Sequence, residues 1–276
     1  MSRAGALGPY AAVLAVRYRM LLQYRAAALA GFGTQLFFGA IRLMVLAAFY
    51  AAASVQPLSL ADVVSYVWLG QAFYALLPWN VDPELAQEIR SGGVAYELLR
   101  PLDLYDYWFA RTLAFRTART SLRALPLLVV AIFVLPLVGL ERWALPLPAD
   151  LPSAGAFLLS FCGMVLMSSA ITMLMHVALL YTRSSQAPNQ LAAPVVVLLS
   201  GIIVPLPLFP DGMQLLLALQ PLRGLGDVPF RIYSGQIAAG AAWDDILQQF
   251  AWSALFITTG RELLARALRT SVVQGG

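Results

Sequence analysis

Lysine is missing from this sequence: all 18 of its basic residues are arginine. A P-loop ATPase places a lysine on the nucleotide phosphates, so this chain cannot hydrolyse ATP by that route. Cysteine occurs once, as Cys162 in an apolar stretch, which excludes a disulfide within the chain and a thiolate metal cluster. Histidine also occurs once, as His176. With no second histidine and no carboxylate within a helical turn of it, neither a metal site nor a proton relay is supported. The aspartates lie in loops or at the ends of apolar runs, and Ser168 and Ser169 sit about 10 Å along a helix from His176, too far for proton transfer. The chain is expected to be non-catalytic and to hold no cofactor or metal. Charge is scarce altogether, at 12% of residues against about 25% in soluble domains.

What fills the chain is apolar. Of 276 residues 60% are hydrophobic, and the mean hydropathy is +0.75, the composition of an all-α integral membrane protein. A bilayer core needs roughly 20 apolar helical residues, and six stretches answer to that: 26–50, 61–80, 124–140, 154–181, 188–209 and 243–261. They form one domain, with no internal repeat. Fourteen arginines fall on one side: positions 3, 17, 19 and 25, six between Val81 and Arg123, Arg183, and Arg261, Arg266 and Arg269. Arg142, Arg223 and Arg231 fall on the other, and Arg42 lies within the first span. Cytoplasmic loops carry the excess, so both termini are expected to be cytoplasmic. The net charge of +4 reads as this topology signal rather than as affinity for nucleic acid. The N-terminal region lacks a short apolar core with a small-residue cleavage site, and no cleaved signal peptide is expected.

Two segments should not cross. Residues 1–25 mix Val13, Leu14, Leu21 and Leu22 with Arg17, Arg19, Arg25 and three tyrosines, which suits an interfacial helix on the inner surface. Residues 210–236 hold an apolar run too short to span, bracketed by Pro207, Pro210, Pro221 and Pro229 and closed by Gly235. A re-entrant hairpin in the outer leaflet between spans five and six fits them.

The polar segment 84–101 carries Glu84, Glu88, Arg90, Ser91, Gly92, Gly93, Glu97, Arg100 and Pro101 between two apolar stretches. The glycine pair and Pro101 predict a short helix, a turn and a second short helix. Leu85 with Ile89 and Val94 with Leu98 add an apolar stripe that favours docking over a merely solvated loop. Arg116, Arg119 and Arg123 share a helical face and read as a headgroup-anchoring stripe, the alternative being a basic vestibule for an anionic substrate or a contact with an acidic partner. Arg42, about 25 Å from Arg25 along a helix, can snorkel to outer headgroups, and His176 reads as structural. Near the bilayer midplane only Gln35 and Thr172 offer polar groups. Gly31, Gly33, Gly39, Gly155 and Gly163 permit close helix contacts, within the chain or between subunits.

On Glu88-Ile-Arg90-Ser-Gly-Gly93 and Glu97-Leu-Leu-Arg100-Pro101, and more weakly on Leu206-Pro-Leu-Phe-Pro210 with Pro229-Phe-Arg-Ile-Tyr-Ser-Gly235, the chain resembles the permease subunits of type-2 ABC exporters. The resemblance is to the six-span branch encoded separately from its ATPase, and it covers nearly the whole chain. It implies a half-transporter in a bacterial-type inner membrane whose segment 84–101 is the coupling helix. A cytosolic ABC ATPase dimer would bind ATP and magnesium, and a second permease copy or a related permease would complete the pathway. The expected cargo is a hydrophobic or amphipathic compound. The rival expectation is an ion-driven secondary transporter or channel, which would carry polar or broken-helix features at the midplane.

Overall fold

The computed structural model describes residues 3–52, 58–182 and 186–274, and among them all regular structure is helical. The order is α1 (Arg3–Leu21), α2 (Arg25–Ala52), α3 (Leu60–Phe73), α4 (Pro83–Ser91), α5 (Val94–Glu97), α6 (Leu104–Val129), α7 (Leu135–Leu137), α8 (Leu151–Thr182), α9 (Gln186–Leu199), α10 (Asp211–Leu219), α11 (Asp227–Tyr233) and α12 (Trp243–Gln274). Three stretches are long and apolar enough to cross a bilayer: Ala28–Tyr50, Leu104–Leu137 and Leu151–Thr182. Arg183, counted above with the inner-side charges, lies outside the described residues.

Local chemistry sets where these helices begin and stop. Ser59 and Asp62 form a reciprocal capping box at the start of α3. That helix ends in a 3₁₀ turn at Tyr74–Leu76, because Pro78 cannot continue it. Asp103 caps α6 by accepting from the Asp106 N–H at 2.9 Å. Near its far end Pro136 removes an N–H, the helix widens into a π turn at Val130–Val134, and the carbonyl of Ala131 instead accepts from the Leu145 N–H at 2.9 Å.

Two expected stretches differ in extent. The apolar run 124–140 is the second half of a helical stretch that already starts at Leu104, where Arg111 and Arg116 are buried and bonded to neighbouring elements. The stretch 188–209 is helical only to Leu199; Gly201 takes φ +78° and Pro205 follows, so the chain turns away. A helix of 14 residues reaches about 21 Å, short of a full bilayer core of about 30 Å. Within the expected re-entrant stretch 210–236 lie α10, a 3₁₀ turn at Pro221–Leu225 and α11.

Where helices break inside the apolar body, long polar side chains from other helices take the freed carbonyls. Arg116, 1% exposed, donates from Nε to Thr172 Oγ1 at 3.0 Å and from Nη1 to the Leu77 carbonyl at 2.9 Å and Asn80 Oδ1 at 3.0 Å, with Nη2 on the Asn80 carbonyl. The expected headgroup stripe therefore loses its first member to the interior. Arg42 likewise does not reach outward to headgroups: it donates to the carbonyls of Ile202, at 2.9 Å, and Ile203, just past the end of α9. Gln249 of α12 donates to the carbonyls of Ser160 and Gly224 at 3.0 and 2.6 Å. In the outer segment Asp227, 1% exposed, accepts from Tyr66 at 2.8 Å and its own N–H donates to the Ser200 carbonyl. Around these points Trp68, Phe73, Leu76, Leu77, Met164, Met167 and Phe230 form the main core.

Replacing Arg116 by Leu should cost about 3 kcal/mol, because the Leu77 and Asn80 carbonyls would be left buried and unpaired. Arg116→Lys should recover little of this, since one ammonium cannot span acceptors arranged for a planar fork. Thermal unfolding of the detergent-solubilised protein measures both, and a Leu variant as stable as wild type would remove the bridging role.

Candidate functional site

The polar segment begins at Asp82, 1% exposed, which joins three elements. Its Oδ1 accepts from the Glu84 N–H at 3.0 Å and caps α4, with Pro83 at the first helical position. Its Oδ2 pairs with Arg17 Nη2 of α1 at 3.2 Å, and its own N–H donates to Nε2 of the buried His176 of α8 at 2.9 Å. The second Arg17 nitrogen pairs with Glu84. Burial alone would weaken the Arg17 proton, but the Glu84 hydrogen bond and the charges of Asp82 and Glu84 outweigh it and raise its pKa. Arg17 is thus an internal tie rather than a headgroup anchor, and His176 is an acceptor for a backbone N–H.

α4 ends at Gly92, whose φ of +77° is the left-handed state that other residues adopt at a cost. The Gly93 N–H donates to the Glu88 carbonyl at 2.9 Å and the Gly92 N–H to that of Ile89, the Schellman pattern of a helix stop. This turn folds α5 back, so that Glu88 and Glu97 meet Arg111 of α6. Arg111 Nη1 lies 2.7 Å from Glu88 Oε2 and 2.9 Å from Glu97 Oε1, and Trp108 Nε1 donates to Glu97 at 2.6 Å. Burial raises the Glu88 carboxyl pKa, yet the hydrogen bond and charge of Arg111 prevail and hold it below the ordinary value. Glu97, 6% exposed, goes the other way: burial and the neighbouring Glu88 outweigh Trp108 and Arg111. Two carboxylates sharing one guanidinium cannot both be fully compensated.

The apolar stripe also turns inward. Leu85 and Val94 pack with Trp108, Met173 and Val177, with Ile89 against them, so three of the four residues of the stripe that suggested docking are core and Leu98 is left exposed. What remains outside is different: Tyr96, 79% exposed, Leu99, 82% exposed, and Leu98, with Gln87, Arg90 and Ser91 beside them. Arg100 leans on Tyr107, donating to its hydroxyl at 2.9 Å, and Pro101 is exposed. Tyr96 and Leu99 were missed in the sequence; the signal was available in the spacing, because the helical turn that buries Val94 and Glu97 must expose the residues between and beyond them. Behind the segment, a cavity of about 450 Å³ is lined by Val13, Arg17, Glu84, Glu88, Glu97 and Arg111 among others. Of the outer-segment residues singled out, Pro229 is buried in α11, Pro221 opens the 3₁₀ turn before it, Pro210 precedes α10, Pro207 lies in a 3₁₀ turn at Leu206–Leu208, and Gly235 has φ +81°. Among the described residues no group of three or more histidine, cysteine or acidic side chains could hold a metal.

A family model described as ABC-2 family transporter protein matches residues 36–275. No curated protein and no solved structure matches the chain.

Arg111→Leu would strand the buried carboxylate of Glu97 and leave the half-exposed Glu88 to solvent, and should cost about 3 kcal/mol. The pH dependence has a sign. Glu88, with a lowered folded pKa, stabilises above its unfolded value and loses that contribution on acidification; Glu97, with a raised one, stabilises below its unfolded value and loses it as pH rises. The two oppose each other, so Glu97→Gln should steepen the loss of stability between about pH 6 and about pH 4. Midpoints of thermal unfolding across that range give the slopes, and parallel curves for the variant and wild type would contradict the shared-guanidinium account.

Proposed function

The chain belongs to the ABC-2 transporter family, and from that premise we propose that it is the permease subunit of an ATP-driven exporter whose nucleotide-binding subunit is a separate cytosolic protein. Membership makes it a multi-pass transmembrane component, of a kind that normally works with an ABC ATPase. The finer reading is six spans with both termini in the cytoplasm, the inner membrane as location, and a dimer of two permeases, alike or related. ATP and magnesium belong to the partner. The arginine asymmetry supports the sidedness and the absence of lysine supports an external source of energy.

One observation carries the coupling role. α4 and α5 are held rigidly by inward charges, Asp82 and Glu84 on Arg17 and Glu88 and Glu97 on Arg111, while Tyr96 and Leu99 stand out at the tip of the helical pair. Exposed aromatic and aliphatic anchors on a rigid mount are what a groove on a soluble partner can grip. Contact with the ATPase therefore runs through Tyr96, Leu98 and Leu99 with Arg90 at the rim, and Glu88 and Glu97 act behind them as the mount.

Tyr96→Asp and Leu99→Asp should each weaken co-purification of the ATPase with the tagged permease at least about tenfold, by loss of about 1.4 kcal/mol or more. Both should leave the unfolding midpoint unchanged, since neither side chain is packed. Retention of the ATPase by both variants, with unaltered stimulation of its hydrolysis, would defeat this docking surface.

A further inference from the structure

Arg119, Arg123, Gln35 and Gln71 serve no broken helix. Arg123 makes no hydrogen bond or ion pair among the described residues, and Arg119 only lies over the Phe115 ring, 4.9 Å from its centroid. Gln35, 5% exposed, has both its amide oxygen and nitrogen buried without a partner. Gln35, Gln71 and Arg123 converge on one space, and Arg119 stands in the cavity beside it. A cavity of about 470 Å³ between α2, α3 and α6 is lined by Gly31, Thr34, Gln35, Phe38, Arg42, Gln71, Tyr74, Arg123 and Ile203, with no carboxylate among them. It adjoins, through Arg123, a second cavity of about 330 Å³ that holds Arg119 and Tyr24 together with Arg17 and the carboxylates of Asp82 and Glu84.

Its place along the bilayer follows from helix rise. Gly31, Gln35, Phe38 and Arg42 recur at spacings of four, three and four on one face of α2. Gly31 begins roughly 9 Å beyond Arg25 and Arg42 lies roughly 16 Å further. Gly31 lets the Arg123 side chain lie against α2: a Cβ there would stand 2.5 Å from Nε and displace that flexible side chain. A polar path thus leads from two unpaired guanidiniums near the inner end of α2, past an unpaired amide, to a third guanidinium already bound to carbonyls. Unpaired charge at such depth is costly and marks a site.

We infer that this cavity binds an amphiphile with an oxyanion head, a phosphate, sulfate or carboxylate, held by Arg123 and hydrogen-bonded by Gln35. Guanidinium forks match planar and tetrahedral oxyanions, and the charged groups lining this cavity, Arg42 and Arg123, are both positive. A bare anion at this depth would lack an apolar counterpart, whereas an amphiphile lays its chain along Phe38 and the exposed row Phe37, Ile41 and Met44 of α2. The site stands without the permease reading; only the step that the bound amphiphile is the exported one rests on it. Its source is either a membrane phospholipid or a single-chain cargo.

Native mass spectrometry of the full-length, delipidated protein tests this with four probes: phosphatidylglycerol, phosphatidylcholine, dodecyl phosphate and dodecyltrimethylammonium. The expected result is retention of phosphatidylglycerol or dodecyl phosphate over the zwitterionic and cationic probes, reduced about tenfold by Arg123→Gln and by Gln35→Leu. Arg142→Gln, which alters an exposed arginine stacked on Trp143, should change nothing. Retention of phosphatidylglycerol alone identifies a membrane lipid, and retention of dodecyl phosphate alone a single-chain amphiphile; each supports the site. Equal retention of all probes, retention unchanged in both variants, or a Gln35→Leu variant that splits an oligomer instead of losing amphiphile overturns it. Co-purification of the ATPase with Arg123→Gln keeps failure of this site separate from failure of the permease reading.

Discussion

Backbone N–H and C=O groups that leave a helix within a bilayer have no water to turn to, and each one left unpaired costs several kcal/mol. This fold contains such breaks after α3 and after α9, and much of its buried polarity follows from them. Arg116 covers the carbonyls of Leu77 and Asn80, His176 accepts the N–H of Asp82, Arg42 covers Ile202 and Ile203, and Gln249 covers Gly224. A guanidinium suits this work because one side chain presents five donors in a plane. The Arg-only composition of the chain is consistent with that use, since an ammonium on a flexible stem would hold fewer carbonyls for the same buried charge.

The first break also builds the polar element of α4 and α5. Because the chain leaves α3 at Leu77, Asp82 arrives at the junction of α1, α4 and α8 and binds all three. From there the Gly92 turn folds α5 beneath α4, and Glu88 and Glu97 close on Arg111. Inward-facing charge on a segment that looks solvated has a geometric consequence. The face left exposed includes the apolar side chains of Tyr96 and Leu99, while Glu88 and Glu97, which draw attention in the sequence, turn to Arg111.

Legibility followed the same division. The helical class, the glycine stop at Gly92 and the two-helix form of the polar segment were readable, since capping, positive φ and apolar runs are local properties. The side to which Glu88, Glu97 and Arg17 point was not, because their partners lie 14 to 67 residues away. Arg116 and Arg42 failed for a related reason. An arginine beside an apolar run satisfies a headgroup phosphate and a broken-helix carbonyl equally well, and only the path of the chain after Leu77 and after Leu199 decides between them. Helix length was misjudged for 188–209 because hydropathy does not register the turn at Gly201.

The same reasoning separates two populations of buried polar groups. Those that cover carbonyls are explained by the fold, and their removal damages the fold. Gln35 and Arg123 cover none: the Gln35 amide is buried without a partner, and the Arg123 side chain lies against Gly31. A structural purpose would have been met better by leucine at both places, with no desolvated amide and no uncompensated charge. α6 connects them to the rest: Arg111, two turns before Arg119, is the residue on which Glu88 and Glu97 close. The exposed Tyr96 and Leu99 and the polar cavity are thus joined through one ion-paired contact, that of Glu88 and Glu97 with the helix that also carries Arg123.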